Sequence, residues 1–131
     1  MKALDTGPLL ALLAGSRRAR ELVRKLRGSE LATTEANLLE LAWLAAKCPA
    51  GARKSRLAAL ERLRQRITVL PLDARATREV SSRLAQLPRT TSPTVAMMLG
   101  ALQAAGCEEL LTDEPIGVAG DWSFILRTAH V

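Results

Sequence analysis

The chain has 131 residues, of which 48% are hydrophobic and 24% charged, and its formal net charge is +6. This length and apolar content are typical of one globular domain with a buried core and exclude a disordered chain, so we expect a single domain over residues 1–131. The apolar stretches are far shorter than the roughly 20 residues that span a bilayer, and no signal-peptide pattern opens the chain, so we expect a cytoplasmic protein without membrane contact.

The first thirteen residues predict a strand, then an acid, then a helix. Ala3 and Leu4 are apolar, Asp5 follows them, and Pro8 suits the first turn of a helix because its missing N–H has no partner there. Ligands of an open parallel sheet bind beyond the carboxyl ends of its strands, which places Asp5 for chemistry. Capping of the helix is the alternative role of Asp5. The sequence leaves both roles open.

Two further elements separate Asp5 from the next acid of interest. Residues 17–27 place apolar side chains on one helical stripe and basic ones opposite, which predicts an amphipathic helix. Residues 30–33 suit a short strand, and Thr34 can cap a helix over residues 35–47.

The helix over residues 35–47 carries the second acid, Glu40. Leu39 and Trp43 are expected to broaden its buried stripe, so Glu40 lies in an apolar run where an unpaired carboxylate is costly unless it binds a cation. Asn37 lies one turn earlier and is expected to hydrogen-bond Glu40. Glu35 is better explained by favourable placement at the helix N-terminus. Glu40 is therefore the candidate.

The rest of the chain continues the alternation of helices and strands. Helices are predicted over residues 52–66, 74–87 and 94–105, and strands over 67–70, 108–112 and 122–128. Asp73 is expected to cap its helix, whereas Asp113 and Glu114 directly follow a strand. Such alternation predicts right-handed crossovers and a three-layer α/β/α fold with a central parallel sheet of four or five strands.

The basic residues are concentrated in the first half of the chain. Residues 1–66 contain 14 Lys and Arg against 6 Asp and Glu, residues 67–131 contain 5 against 7, and 15 of the 19 basic residues are arginine. Arginine pairs bidentately with phosphate, so a polyanionic substrate is one interpretation. A solvated basic surface is the alternative.

The two cysteines, Cys48 and Cys107, lie far apart and lack the close spacing of zinc ligands. A cytosolic setting disfavours a disulfide between them. We therefore expect both to be buried as small apolar residues.

Four segments resemble the PIN domain family, the nuclease fold of VapC-type toxins: LDTGPLLALL, LATTEANLLELAWL, ITVLPLD and AAGCEELLTDE. The resemblance implies a metal-dependent endoribonuclease that cleaves single-stranded RNA, is held by an antitoxin and forms a homodimer. It also implies that Asp5, Glu40 and Asp113 are the catalytic acids and bind Mg²⁺ or Mn²⁺, with Glu114 as a further ligand. Carboxylates suit such hard cations, which activate water for attack on a phosphodiester.

The chain departs from the family pattern at one acid. PIN domains usually have an aspartate at the start of the helix before the AGCEELLT-like segment, a place that falls at Val95 or at Pro93, Thr94 or Ala96. Loss of this carboxylate is expected to weaken metal binding, and Asp121 is a candidate substitute. A catalytically degenerate PIN-fold module that binds RNA or a protein without cleavage is therefore the alternative function.

Overall fold

The computed structural model describes residues 1–113, 116 and 120–128. In chain order the elements are β1 (Lys2–Leu4), α1 (Thr6–Ala14), α2 (Arg17–Leu26), β2 (Leu31–Thr34), α3 (Glu35–Ala46), α4 (Ala50–Arg66), β3 (Thr68–Leu70), α5 (Ala74–Ser81), a 3₁₀ turn (Leu84–Gln86), α6 (Pro93–Ala105), β4 (Glu109–Thr112) and β5 (Ile125–Thr128). None of the helices in the described part of the chain is long and apolar enough to cross a membrane.

The five strands form one sheet in the order β3-β2-β1-β4-β5, and all neighbouring pairs are parallel. The predicted parallel sheet of four or five strands is therefore confirmed. The chain runs outward from β1 through β2 to β3 and then returns to place β4 on the other side of β1. The strand order reverses between β1 and β4, and the crevice beyond their carboxyl ends is where ligands of such sheets bind.

Both faces of the sheet are covered, as the predicted three-layer fold requires. Successive strand residues point to opposite faces, so Ala3 and Leu4 enter different cores. Ala3 belongs to a core that includes residues of α5 and α6, and Leu4 to a core that includes residues of α1, α2, α3 and α4. The sheet is thus the middle layer between two groups of helices.

Helix α5 is shorter than predicted and ends at Ser81 instead of residue 87. Two consecutive serines, Ser81 and Ser82, are weak helix formers, and Arg83 satisfies a carbonyl of the last turn by donating to the Glu79 oxygen at 2.8 Å. Arg83 also donates to the backbone oxygen of Asp121 at 3.0 Å. The helix therefore ends where Arg83 turns towards the Asp121 loop.

Three burial predictions were wrong. Leu39 and Trp43 do not broaden the buried stripe of α3, because they lie on its solvent side and are 69% and 63% exposed. Cys48 is only half-buried: it follows α3, and its Sγ accepts a hydrogen bond from Arg56 at 3.2 Å. Cys107 is buried as predicted, both cysteines are free thiols, and burial raises the pKa of the Cys107 thiol.

Candidate active site

Asp5 lies at the end of β1 and serves both roles that the sequence left open. It caps α1, because its Oδ1 accepts the Thr6 N–H at 2.8 Å. The same oxygen accepts the Asn37 side-chain amide at 2.9 Å, and Oδ2 accepts the Thr112 hydroxyl at 2.7 Å. These donors from α1, α3 and β4 compensate for the burial of a carboxylate that is only 9% exposed.

Glu40 is connected to Asp5 through a threonine and not through the predicted bond with Asn37. The Thr6 hydroxyl donates to Glu40 Oε2 at 2.9 Å and accepts from the Asn37 amide at 3.2 Å. Glu40 is exposed, so the expectation of a desolvated carboxylate was wrong: this part of α3 faces solvent. Thr6 therefore couples an exposed acid to a buried one.

Glu35 has a separate structural role on α3. Arg64 of α4 donates to both of its carboxylate oxygens, at 2.8 and 3.2 Å. This hydrogen-bonded pairing raises the pKa of Arg64. The pairing joins α4 to the first turn of α3, which agrees with the choice of Glu40 over Glu35 as the site candidate.

Asp113 is the first residue after β4, and two features of the fold hold its carboxylate. Arg18 of α2 forms an ion pair and hydrogen bond with Oδ1. The carboxylate also lies against Gly7, where an added Cβ would be 2.9 Å from the Asp113 Cγ and still closer to Oδ2. The absence of a side chain at Gly7 therefore lets Asp113 approach the first turn of α1. Glu114, the further predicted ligand, lies outside the described residues.

The three acids line one cleft of about 500 Å³ at the carboxyl ends of β1 and β4. The start of α6 and the loop before it also contribute to the lining, through Pro88, Thr90, Thr91, Ser92 and Val95. Of the four positions at which the family pattern could have its acid, Val95 is the one that lines the cleft, whereas Thr94 is exposed and lies outside the lining. Asp121 is also absent from the described residues that line the cleft.

The chemistry of the cleft suits a hard divalent cation, because the polar side chains that line it carry carboxylate and hydroxyl oxygens. The arrangement is looser than a metal centre: among the described residues, no three Asp, Glu, His or Cys side chains are grouped closely enough to hold an ion. Asp5 and Glu40 are linked through Thr6, while Asp113 is engaged by Arg18. Asp113 is therefore the acid of the cleft that already has a cationic partner.

A second groove adjoins the acidic cleft. It has a volume of about 430 Å³, and its lining, mostly apolar, comes from α1, α3 and α4. Leu10 and Leu44 line both cavities, and Arg56 and Arg62 belong to the groove alone. An apolar channel with basic residues thus leads into the acidic site.

Sequence reasoning missed Thr6, Thr112 and Arg18. The two threonines stand next to the predicted acids, so their position in the motifs was a usable signal. Arg18 carried none, because it is separated from Asp113 by 95 positions and looked like one more residue of a basic helix face.

Solved structures with the same fold include chains of toxin–antitoxin complexes. A chain of VapBC2 from Rickettsia felis, bound to a promoter DNA fragment, superposes with a TM-score of 0.75 at 14% identity, covering 97% of each chain. DNA-bound VapBC from Salmonella typhimurium gives 0.70 at 23% identity, covering 86% of this chain and 85% of that one. VapC20 from Mycobacterium tuberculosis, described as a toxin that cleaves the sarcin–ricin loop, gives 0.60 at 19% identity, covering 84% and 87%.

The TM-scores establish a shared fold. No curated protein sequence matches the chain. The family follows from the sequence itself: the profile of the PIN domain matches residues 2–114, which contain the whole acidic cleft described above except Ile116. The chain is a member of the PIN domain family.

Proposed function

We propose that this protein is an endoribonuclease toxin of a toxin–antitoxin pair, and that it cleaves single-stranded RNA in the acidic cleft. The observation that carries the proposal is the convergence of Asp5, Glu40 and Asp113 on one cleft at the strand-order reversal of the sheet. Membership of the PIN family and the RNA-cleaving description of VapC20 support the reaction class.

In this proposal Asp5, Glu40 and Asp113, with Glu114 as the further candidate, hold Mg²⁺ or Mn²⁺. The bound ion would supply an activated water and stabilise charge that develops on the phosphodiester. The described side chains position the ligands: Asn37 and Thr112 fix Asp5, and Thr6 orients Glu40. This support matters because hydrogen bonds to metal ligands set their orientation and tune affinity.

The distribution of charge supports an RNA substrate. Residues 1–66 carry a net charge of +8, and the basic side chains of α2 and α4 are largely exposed, including Arg20, Arg24, Arg53 and Lys54. Basic surface attracts the phosphate backbone, so binding is expected to weaken steeply with salt. The acids of the cleft repel RNA phosphates unless a cation is bound, which couples substrate binding to metal.

The groove between α1, α3 and α4 supports an antitoxin as the protein partner. Its mostly apolar lining and the guanidinium groups of Arg56 and Arg62 complement a segment that carries apolar and acidic side chains. A homodimer is also proposed, and Leu39 and Trp43 of α3 offer exposed apolar area for contact between copies.

The test is cleavage of a single-stranded RNA by the unaltered protein with Mg²⁺ or Mn²⁺ and with EDTA. Asp5→Asn removes one charge and keeps a side chain that can cap α1, and Asp73→Asn makes the same change at the cap of α5, outside the cleft. We expect slow metal-dependent cleavage that Asp5→Asn abolishes and Asp73→Asn retains. Cleavage that persists in Asp5→Asn would contradict the proposal.

The second candidate function is a PIN-fold module that binds RNA or a protein without cleavage. The engagement of Asp113 by Arg18 and the apolar Val95 in the cleft favour it. This function predicts RNA binding of equal strength in the unaltered protein and in Asp5→Asn, with no cleavage at any metal concentration. The same experiment therefore separates the two functions.

A further inference from the structure

We propose that Arg18 is a built-in counter-ion of the acidic cleft that competes with a divalent cation for Asp113. The inference rests on the proposed metal site and adds a regulatory residue to it. In the structure the guanidinium of Arg18 is paired with Asp113 Oδ1, one of the two oxygens through which this carboxylate could bind an ion.

The fold keeps Arg18 at this place. Arg18 lies in the first turn of α2, and the following residues of that helix, Ala19, Leu22 and Leu26, are buried in the core. The side chains of Arg18 and Asp113 are 34% and 27% exposed, so solvent screens this ion pair less than one on the open surface. An anchored helix thus holds a cation beside the site acid.

The carboxylate of Asp113 has a neighbour on each side. Oδ2 lies against Gly7 at the first turn of α1, so the carboxylate is confined between α1 and the guanidinium. A cation that joins Asp113 to Asp5 and Glu40 is therefore expected to compete with Arg18 for this carboxylate. Two positive groups at one carboxylate repel each other, so each is expected to weaken the binding of the other.

The pairing with Arg18 also balances the charge of Asp113 within the cleft. Asp5 is satisfied by hydrogen bonds and Glu40 by solvent and Thr6, whereas the part-buried Asp113 is compensated by Arg18. Because α6 contributes no further acid to the cleft, the guanidinium of Arg18 is enough to compensate the charge of Asp113. A metal ion that binds Asp113 must then also compete with the ion pair between Arg18 and this carboxylate.

The neighbouring arginine provides a matched control. Arg17 is 89% exposed, and its closest described acidic partner is Glu21 on the same helix, 3.9 Å away. Arg17→Gln removes the same charge one position earlier without removing the contact with Asp113. It therefore measures the long-range effect of net charge on cation binding.

The experiment is a calorimetric titration with Mn²⁺ of the unaltered protein, Arg18→Gln, Arg17→Gln and Arg18→Lys. We expect Arg18→Gln to bind Mn²⁺ about three- to tenfold more tightly, the range that loss of a part-screened ion pair allows, and Arg17→Gln to change affinity less than about twofold. Arg18→Lys keeps the positive charge but lacks the planar guanidinium fork. We expect its Mn²⁺ affinity to lie between those of Arg18→Gln and Arg17→Gln. It also keeps the test decisive if Arg18→Gln does not fold.

The same titration in an Asp113→Asn background separates direct competition from a general charge effect. There the gain from Arg18→Gln is expected to disappear. Equal affinity of Arg18→Gln and the unaltered protein, or a gain that persists in Asp113→Asn, would overturn the inference while leaving the metal site intact if Asp5→Asn still loses Mn²⁺. Absence of Mn²⁺ binding in every variant would overturn both the inference and the proposed metal dependence.

Discussion

The side-chain amide of Asn37 donates a 2.9 Å hydrogen bond to the carboxylate of Asp5, and both residues are buried. The orientation of this amide is fixed from its other side, because the Thr34 hydroxyl donates to Asn37 Oδ1 at 2.6 Å. A donor nitrogen therefore faces the acid. This relationship ties α3 to the end of β1 and compensates part of the charge of Asp5.

Asn37→Asp replaces that donor with an oxygen and brings two carboxylates together. We expect the variant to lose about 2–4 kcal/mol of unfolding free energy at pH 7, because the like charges repel and Asp5 loses a hydrogen bond. Because two neighbouring carboxylates repel each other, the new pair holds its last proton more tightly, and one carboxyl pKa rises in the folded state. Protonation at lower pH removes this repulsion, so the loss of unfolding free energy should shrink as the pH falls towards 4. Urea unfolding in EDTA at both pH values measures this. A deficit independent of pH would contradict the charge argument.

The sequence predicted the layers of the fold and the edge at which the acids gather, because both follow from local pattern. Apolar strands that end at Asp5 and Asp113 and alternate with helices leave few topologies. The end of α5 was not predictable in the same way, since the contact of Arg83 with the Asp121 backbone is non-local.

The details of the site depended on contacts between distant segments. Asn37 was predicted to bond Glu40, but its amide bonds Asp5 and Thr6, which are 32 and 31 positions away in the sequence. The pairing of Arg18 with Asp113 is equally non-local. Helical spacing therefore located the polar residues without revealing which of them meet.

Gly100 is expected to be the most restrictive glycine of the core. A Cβ there would meet the Ala76 carbonyl oxygen of α5 and lie 3.0 Å from the Val80 Cβ, so α5 and α6 must separate in Gly100→Ala. We expect a loss of about 1–3 kcal/mol in urea unfolding. Gly51→Ala is the control, because a Cβ on this α4 residue meets nothing within 4 Å, and it should be neutral or gain up to about 1 kcal/mol. Equal effects of both substitutions would contradict the close packing.

The two thiols should differ in reactivity. Burial encloses Cys107 and raises the pKa of its thiol, which leaves little thiolate at pH 8, whereas Cys48 is half-buried. Mass spectrometry of the native protein during iodoacetamide treatment should show Cys48 modified at least about tenfold faster. Similar rates for the two native thiols would contradict this placement, and the rates should converge in denaturant.

Thr6 should support the metal site without itself being a ligand. Thr6→Val removes the hydroxyl between Asn37 and Glu40 at nearly constant volume, and we expect Mn²⁺ affinity to fall by about tenfold, as for other partners of metal ligands. Thr77→Val is the matched control, because its exposed hydroxyl donates to the Asp73 carbonyl, outside the cleft. Equal losses in the two variants would contradict the positioning role.

The most direct test restores the missing carboxylate. Val95 lines the cleft and Thr94 is exposed outside it, so Val95→Asp adds a ligand oxygen and a negative charge, while Thr94→Asp adds only the charge. The measurement is the rate of single-stranded RNA cleavage in Mn²⁺. We expect Val95→Asp to cleave on the order of tenfold faster than the unaltered protein and Thr94→Asp to leave the rate unchanged. A Val95→Asp rate no higher than that of Thr94→Asp would contradict the claim that this cleft is a PIN nuclease site weakened by one acid.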